Sequence, residues 1–448
     1  MRQNGFGTGL AYVVLVFLAV GLAILIFFNY QANTEQMEAI EAAEIAAATT
    51  PTPEPTTTPE PTPTPNRVVD TVTLAFAGDL VAQPGLTTDA AFVSDGDDGE
   101  DEKSYDYFDE LAGVVPSLTG VDFAACTLVG VISDGGTYDS GYTMPAAIAT
   151  ALVGSGFQVV NAATDHILDL GFDGLEETAR TIQSEGLIPV GIYATELSHG
   201  AFMADIHGVS VALLSYTCGT GGVSVAERPW CVDVMTQDYM TDQQTVDYGR
   251  IDSDIAAVKA AGADIVVCFA YWWDSTQYYT VVRPNQQEVV DHLFTQGVDI
   301  VIGGGVKTPQ PIETRVVERA DGSKANCVAC YSLSNLMSCF NDRYTNLSAM
   351  AKISVSRDTD TGECWISGVS YDPLFMLDTD DYEDYDEPGW KFRLLDAYDS
   401  LEAYEEGDSS VVSELAYQAI GQGVSDLQEL LGAEYDIENG GVELEYPY

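Results

Sequence analysis

The chain has 448 residues, of which 46% are hydrophobic, and its 70 acidic and 17 basic residues give a formal net charge of −53. This apolar content suffices for a large core, which excludes an intrinsically disordered chain. The acidic excess argues against nucleic-acid binding, which requires a basic surface, and contact with another polyanion would require bridging divalent cations.

The first predicted element is an uncharged apolar run at residues 10–28. As a helix it would be on the order of 28 Å long, close to the thickness of a bilayer core. Because cleaved signal peptides usually have a shorter apolar core, we expect an uncleaved transmembrane anchor, with a cleaved signal as the alternative. Arg2 precedes the run, so the positive-inside rule predicts that residues 1–9 are cytoplasmic. The prediction is a single-pass cell-membrane protein whose main domain is extracytoplasmic.

Residues 29–66 separate this anchor from the main domain. A polar helical stretch is followed by the Pro/Thr-rich run TTPTPEPTTTPEPTPTP. Proline removes backbone donors and fixes φ, so this run cannot form helix or sheet. We expect an extended, polyproline-like stalk of roughly 50 Å.

From residue 70 onward, strand-like apolar runs alternate with amphipathic helical stretches that end in glycine. The strand candidates are VTLAFAGDL, DFAACTLVGVI, FQVVNAA, IPVGIYA, VSVALLSY, DIVVCFAYW and VDIVIGGG. The helix candidates are MPAAIATALVGSG, GLEETARTIQSEG, DIAAVKAAG and QQEVVDHLFTQG. This alternation predicts an α/β domain with much parallel sheet that is buried on both faces.

After residue 326 the pattern changes to the strand-like runs CVACYSLSNL, AKISVSR and CWISGVSY. We expect these strands to complete a second sheet rather than to form a separate domain. From residue 394 onward, amphipathic helices precede an acidic tail. The predicted boundaries are a main domain at residues 67–375 and an acidic C-terminal extension at residues 376–448.

Eight cysteines do not form a dense disulfide framework in a chain of this size. Cys218 and Cys231 flank a glycine-rich loop and are able to pair if the compartment is oxidising. Cys327 and Cys330 form a C-x-x-C motif, but no second such pair follows, which disfavours a zinc site.

Residues with metal-ligating side chains follow two of the predicted strands. Asp79 ends the first strand, where α/β sheets place ligands, although an aspartate there also serves as a turn or helix cap. Asp165 and His166 follow the strand FQVVNAA, where they are able to ligate a metal. The alternatives for these two are a turn-capping aspartate and a structural histidine.

Several motifs, in order along residues 72–336, resemble the CapA family of polyglutamate capsule proteins. They are the GD of the first strand, the run GFQVVNAATDHILDLGFDGLEETARTIQSEGLIPVG, the run QGVDIVIGGGVKTPQPIE, and YSLSNL. The family fold is related to the calcineurin-like metallophosphoesterases. The resemblance therefore implies a layered sandwich of two mixed β-sheets flanked by helices, and a role with capsule or polyglutamate-type polymers.

The sequence departs from the family pattern where metal ligands are expected. At those positions the chain has Thr127, Val129, Thr164, Asp165, Tyr271, Gly304, Gly305, Val306 and Lys307. A remaining metal site would consist of Asp79, Asp165 and His166. It lacks the imidazoles that a two-metal site needs, and Lys307 would repel a nearby cation. We therefore expect no cofactor, with a single Mn, Fe or Zn ion as the alternative.

The first hypothesis is a membrane-anchored, non-catalytic CapA-like protein that handles capsule, polyglutamate or another cell-envelope polymer. Its expected partners are the membrane, through the single N-terminal helix, and the polymer or capsule machinery, without nucleic acid.

The second hypothesis is a metal-dependent hydrolase or transferase with a reduced site. Asp79 and His166 would then be catalytic, and Lys307 would bind phosphate or carboxylate.

The third hypothesis is a glycan-binding or structural ectodomain. The aromatic side chains of Tyr271 and Trp273 would stack on sugars, and their alternative role is core packing. Asn335, in the YSLSNL motif, is a further ligand-binding candidate.

Overall fold

Strands and helices alternate through the first half of the domain, as the apolar pattern predicts. A computed structural model describes residues 68–95, 101–134, 138, 141–241, 245–272, 278–386 and 388–448. The predicted cytoplasmic segment, transmembrane anchor and stalk lie outside the described residues, as does Trp273. Within the described ranges, no helix combines the length and the apolar character needed to cross a bilayer.

The strands are numbered in chain order. They are β1 (Val69–Val81), β2 (Ala91–Asp95), β3 (Asp101–Tyr105), β4 (Phe123–Val129), β5 (Val131–Ile132), β6 (Thr143–Met144), β7 (Val159–Asn161), β8 (Ile188–Val190), β9 (Phe202–Ile206), β10 (Val209–Thr217), β11 (Ile265–Tyr271), β12 (Ile300–Gly304), β13 (Pro309–Glu318), β14 (Lys324–Leu333), β15 (Leu347–Asp358), β16 (Cys364–Asp378), β17 (Phe392–Asp396) and β18 (Val442–Glu443).

The α-helices are numbered in the same way. They are α1 (Pro84–Asp89), α2 (Phe108–Leu111), α3 (Val115–Leu118), α4 (Ala147–Ser155), α5 (Gly171–Ser184), α6 (Tyr248–Ala260), α7 (Pro284–Gln296), α8 (Ala397–Glu405) and α9 (Glu414–Leu427).

Two mixed sheets form the centre of the fold. The first has the order β17-β16-β15-β1-β4-β7-β8, with β18 beside β16, and the second has the order β13-β14-β12-β11-β10-β9. In the first sheet β1, β4, β7 and β8 run parallel, while β15, β16 and β17 join antiparallel. In the second, β10, β11, β12 and β14 run parallel, with β9 and β13 antiparallel at the edges. The predicted mixed α/β architecture is confirmed.

The largest apolar cluster lies between the two sheets. Strand β1 illustrates how alternation builds it, because Leu74 and Phe76 belong to the cluster shared with the second sheet. The intervening Ala75 and Ala77 belong to a different cluster, with α4. On the outer side of the second sheet, α6 and α7 pack in a third cluster. Side chains of a strand alternate between its faces, so each sheet is covered on both sides.

The strands after residue 326 divide between the sheets. Strand β14 joins the second sheet, whereas β15 and β16 pair with the first. The expectation that all three complete a second sheet is therefore wrong for β15 and β16. The described residues fall within one unit, Arg67–Tyr448. The predicted boundary at residue 375 lies inside β16, and β17 and α9 continue into the same sheet and core.

All eight cysteines are unbridged in the structure. Cys327 and Cys330 both lie on β14, but Cys327 packs in the cluster with α6 and α7 and Cys330 packs between the sheets. Because the two thiols face opposite sides of the strand, they cannot share one metal ion.

Candidate functional site

The C-terminal ends of the parallel strands meet at one edge of the two sheets. Asp79 of β1 pairs in register with Thr127 of β4, and Thr127 pairs with Asn161 of β7. In the second sheet, Tyr271 of β11 pairs with Gly304 of β12. Parallel strands end at the same edge, which is where α/β sheets place ligands. The structure therefore places Asp79, Thr127, Tyr271 and Gly304 at strand ends of this edge.

Asp79 is buried at this edge, with 3% of its surface exposed. Its Oδ2 accepts a hydrogen bond of 2.6 Å from the backbone N–H of Gly305, and its own N–H donates to the carbonyl of Ser334 at 2.8 Å. Burial raises the pKa of Asp79 to about 7, against the lowering effect of the Gly305 N–H, and the nearby charge of Asp165 raises it further. Its carboxylate thus ties the first sheet to the turn after β12.

Tyr271 occupies the centre of the site. Its hydroxyl is hydrogen-bonded to Asp165, and burial together with the charges of Asp165 and Asp79 holds its pKa well above the usual range. Its ring packs in a small apolar cluster with Val81 and Val129. The site is thus filled by a phenol and two valines at its base.

Glycines at 304 and 305 make room for this ring. A Cβ on Gly304 would lie 2.6 Å from Asp79 Oδ1 and 3.3 Å from Tyr271 Cδ2. A Cβ on Gly305, whose φ is 87°, would lie 3.1 Å from Tyr271 Cε1 and Cζ. Side chains at both positions are therefore incompatible with Asp79 and Tyr271 as they are placed here.

His166 lies beside the site, one quarter exposed. Its Nδ1 is 2.9 Å from Asp169 Oδ2, and its Nε2 is 3.8 Å from Asp165 Oδ2. Its ring stacks on Tyr142 with 3.8 Å between centroids. Burial lowers the pKa of His166, but the hydrogen bond to Asp169 and the charges of both aspartates outweigh it, so the pKa lies above its ordinary value.

Lys307 reaches the same site from the turn after β12. Its backbone is left-handed, with φ of 66°, and its carbonyl accepts hydrogen bonds of 3.1 Å from Ser334 Oγ and from Asn335 Nδ2. Its Nζ lies 4.4 Å from the centroid of Phe340 and 5.8 Å from that of Tyr278. The ammonium also lowers the pKa of both Asp79 and His166, which places its charge next to them.

Thr127 and Asn335 have hydrogen-bonding partners within the protein. Asn161 Nδ2 donates to Thr127 Oγ1 at 3.1 Å and is itself linked through Oδ1 to Ser215, in the buried space between the sheets. Asn335 Nδ2 donates to the carbonyls of Lys307 and Thr345. The structure thus places Asn335 behind the turn that carries Lys307, where it fixes the backbone.

The residues present do not fit a two-metal site. Across the described part of the chain, no group of three or more His, Cys, Asp and Glu side chains is arranged to hold a metal ion. Asp79 is engaged by the Gly305 N–H, Val129 offers no donor, and the Tyr271 ring takes up the space beside Gly304 and Gly305. A dinuclear clamp requires several anionic or imidazole ligands on both ions.

Four residues of the site escaped the sequence reasoning. Asp169 orients His166, Tyr142 stacks on it, Phe340 packs near Lys307, and Ser334 binds the backbone of Asp79 and Lys307. Asp169 had a usable signal, since it lies three residues after His166 in a turn-forming stretch. The others belong to irregular segments without periodicity.

Residues 73–339, more than half of the chain, match the family described as bacterial capsule synthesis protein PGA_cap. The capsule biosynthesis protein CapA of Bacillus anthracis is 26% identical over 153 residues, or 33% of this chain and 34% of that protein. A probable polyglutamine synthesis accessory protein of Mycobacterium tuberculosis is 27% identical over 160 residues, or 34% of this chain and 40% of that protein. These alignments span between one third and two fifths of the relatives' lengths.

Solved structures of phosphoesterases are similar to this chain at low identity. The match to the calcineurin-like phosphoesterase YfkN from Bacillus subtilis spans 81% of this chain and 99% of YfkN, with a TM-score of 0.38 and 14% identity. The match to a 5′-nucleotidase precursor from Thermus thermophilus spans 80% of this chain and 60% of the nucleotidase, with a TM-score of 0.39 and 12% identity.

Proposed function

Because the chain belongs to the bacterial capsule synthesis protein PGA_cap family, we propose that it is a non-catalytic member that handles capsule or another cell-envelope polymer. Membership confirms the family resemblance predicted from the motifs. The relatives named for capsule biosynthesis and polyglutamine synthesis support a polymer of linked amino acids as the first candidate. The predicted membrane anchor and extended stalk would hold the domain at the cell surface, where such a polymer is found.

One observation carries the non-catalytic part of the proposal. The Tyr271 ring lies against Gly304, Gly305 and Val129, and its hydroxyl binds Asp165, so the space between the strand ends is occupied by the protein itself. A hydrolase of this family would need that space for a metal ion and a reacting group. The geometry therefore favours binding or scaffolding over hydrolysis.

The net charge of −53 shapes how such a polymer would be bound. Polyglutamate is anionic, and like charges repel at this acidic surface. We therefore expect the contact to depend on bridging divalent cations such as Ca²⁺, whose preferred ligands are carboxylate oxygens.

The test uses the full chain with biotinylated poly-γ-glutamate. We expect the polymer to retain the protein in millimolar Ca²⁺ and to release it on addition of EDTA. The same preparation should neither shorten the polymer nor hydrolyse a generic phosphodiester. Polymer cleavage, or no retention under any cation condition, would contradict the proposal.

A single-metal hydrolase or transferase is the second candidate. It is favoured by the contact between His166 Nε2 and Asp165 Oδ2 at 3.8 Å, with Asp169 orienting the imidazole as outer residues do in metal sites. Metal analysis of the purified chain separates the candidates. Stoichiometric Mn, Fe or Zn that is lost in His166→Ala would favour the hydrolase.

A further inference from the structure

Three carboxylates lie at or near these strand ends, those of Asp79, Asp165 and Asp169. The charge of Asp165 acts on Asp79, and His166 lies 3.8 Å from Asp165 Oδ2 and 2.9 Å from Asp169 Oδ2. Carboxylates gathered in this way repel one another unless a positive charge lies among them. In a metal-binding relative, the ion would supply that charge.

Lys307 supplies a positive charge at this place. Its ammonium lies 4.4 Å from the ring centroid of Phe340, which packs against the cluster that contains Tyr271, and it acts electrostatically on both Asp79 and His166. The backbone position of Lys307 is fixed, because Ser334 and Asn335 both donate hydrogen bonds to the Lys307 carbonyl. Lys307 and Ser334 are both left-handed, with φ of 66° and 64°. Non-glycine residues adopt this conformation infrequently, and strained backbone of this kind is enriched at functional sites.

Tyr271 contributes an aromatic ring that fills space in the site and a hydroxyl that donates a hydrogen bond. Its hydroxyl binds Asp165, which follows β7 of the first sheet, while Tyr271 itself ends β11 of the second. The Asp79–Gly305 hydrogen bond makes a second tie, from β1 of the first sheet to the turn after β12 of the second. Two hydrogen bonds therefore join the sheets at this edge.

We propose that Lys307 and Tyr271 together replace the metal ion as the group that organises this edge of the fold. Lys307 offsets the charge of the carboxylates, and Tyr271 fills the space and joins the sheets through Asp165. The inference rests on the proposed non-catalytic function. It adds that the remaining polar residues serve stability, and that the site is closed without any metal.

The test compares thermal unfolding of the full chain and its variants in EDTA, Mn²⁺ and Zn²⁺. We expect the wild-type Tm to be the same under all three conditions. Lys307→Met should lower the Tm in EDTA by several degrees and recover part of the loss in Mn²⁺ or Zn²⁺, because uncompensated carboxylates attract a cation. Tyr271→Phe keeps the ring and removes the hydroxyl, so it should lower the Tm without recovery by metal.

Matched controls are Lys324→Met and Tyr448→Phe, both exposed on another part of the surface. Lys324 Nζ donates an exposed hydrogen bond to the Tyr448 carbonyl, and because such solvated contacts contribute little, neither change should shift the Tm by more than about one degree. Lys307→Arg retains the charge and should retain metal-independent stability. If Lys307→Met does not yield folded protein, a folded and metal-independent Lys307→Arg still supports the charge role, and an unfolded one overturns it.

Two other outcomes overturn the inference in distinguishable ways. If Lys307→Met and Tyr271→Phe keep the wild-type Tm in EDTA while wild-type protein holds no metal, the replacement role is wrong and the non-catalytic function stands. If wild-type protein holds a stoichiometric metal and EDTA lowers its Tm, both the replacement role and the proposed function fail.

Discussion

Gly304 is one of the positions at which the sequence departs from the resembled family pattern, and the absence of its side chain is a steric requirement. We predict that Gly304→Ala lowers the free energy of unfolding by about 1–3 kcal/mol, as overpacking of a tight site does. The added Cβ would lie 2.6 Å from Asp79 Oδ1 and would displace that buried carboxylate or Tyr271. Denaturant titration measures the loss. Gly219→Ala is the control, because no atom lies within 4 Å of its added Cβ, and an equal loss in both variants would contradict the steric argument.

The buried carboxyl group of Glu110 makes the free energy of unfolding depend on pH. Burial raises its pKa from 4.5 to about 7, aided by the charge of Asp89, and among the described residues no hydrogen-bond partner reaches its Oε2. A folded-state pKa above the unfolded-state value means that the folded chain binds more protons between these pH values. Stability is therefore lost as pH rises from about 4.5 to 7.

Glu110→Gln removes this titration. Relative to wild type, the variant should gain about 3 kcal/mol in the free energy of unfolding between pH 4.5 and pH 8. Urea titrations of both proteins across this range provide the measurement. Parallel stability curves for the two proteins would show that Glu110 does not titrate in this way.

Asp79, Asp165 and His166 could be predicted as neighbours because each lies near the C-terminal end of a recognisable strand. The hydrogen-bond partners of these three residues could not be predicted from the sequence. Lys307 has a left-handed backbone, and its carbonyl accepts hydrogen bonds from Ser334 and Asn335, which are distant in sequence. Motif comparison identified which residues differ from the family. It took the three-dimensional structure to show that Tyr271 and the glycines at 304 and 305 fit one another.

At the scale of elements, the central strands of each sheet were the most predictable. Continuous apolar runs such as those of β10, β11 and β12 are typical of parallel strands covered on both faces. The edge strands β9 and β13 were missed, since one side of an edge strand is solvated and its apolar pattern is weaker. Sheet membership of β15 and β16 was also unpredictable, because composition does not specify the partner of an antiparallel strand.

A substitution in helix α9 can show whether the C-terminal segment unfolds together with the two sheets. Ile420 is fully buried in the cluster between the sheets. We predict that Ile420→Ala lowers the free energy of unfolding by about 2–5 kcal/mol, through lost burial and a residual cavity. Because the segment shares this core, circular dichroism should show one cooperative transition.

Leu415 on the same helix is the matched control, with 38% of its surface exposed. Leu415→Ala should cost less than about 1 kcal/mol. Equal losses in the two variants, or a separate early transition for Ile420→Ala, would indicate that α9 folds independently of the sheets.

At the scale of the whole molecule, the charge of −53 produces self-repulsion in the folded state. At about 0.1 M salt the screening length falls to about 10 Å, so distant acidic residues cease to interact. We predict that raising NaCl from low to physiological concentration raises the Tm by a few degrees. Differential scanning calorimetry at fixed pH measures the shift. A falling Tm would instead mean that surface ion pairs contribute more than the general repulsion.

The pairing of β1 with β15 has a consequence for biosynthesis. Val69 lies opposite Asp358, and the core between the sheets is completed only by Ile420 and its neighbours on α9. A chain emerging residue by residue from a ribosome or a translocation pore is able to pair β1 with β4 early, but it cannot complete the burial of β1 until nearly all of the chain is available. Folding has to follow synthesis, and such long-range pairing is slow. Meanwhile the apolar strands of the N-terminal half remain open to aggregation, so this protein should depend strongly on holding chaperones.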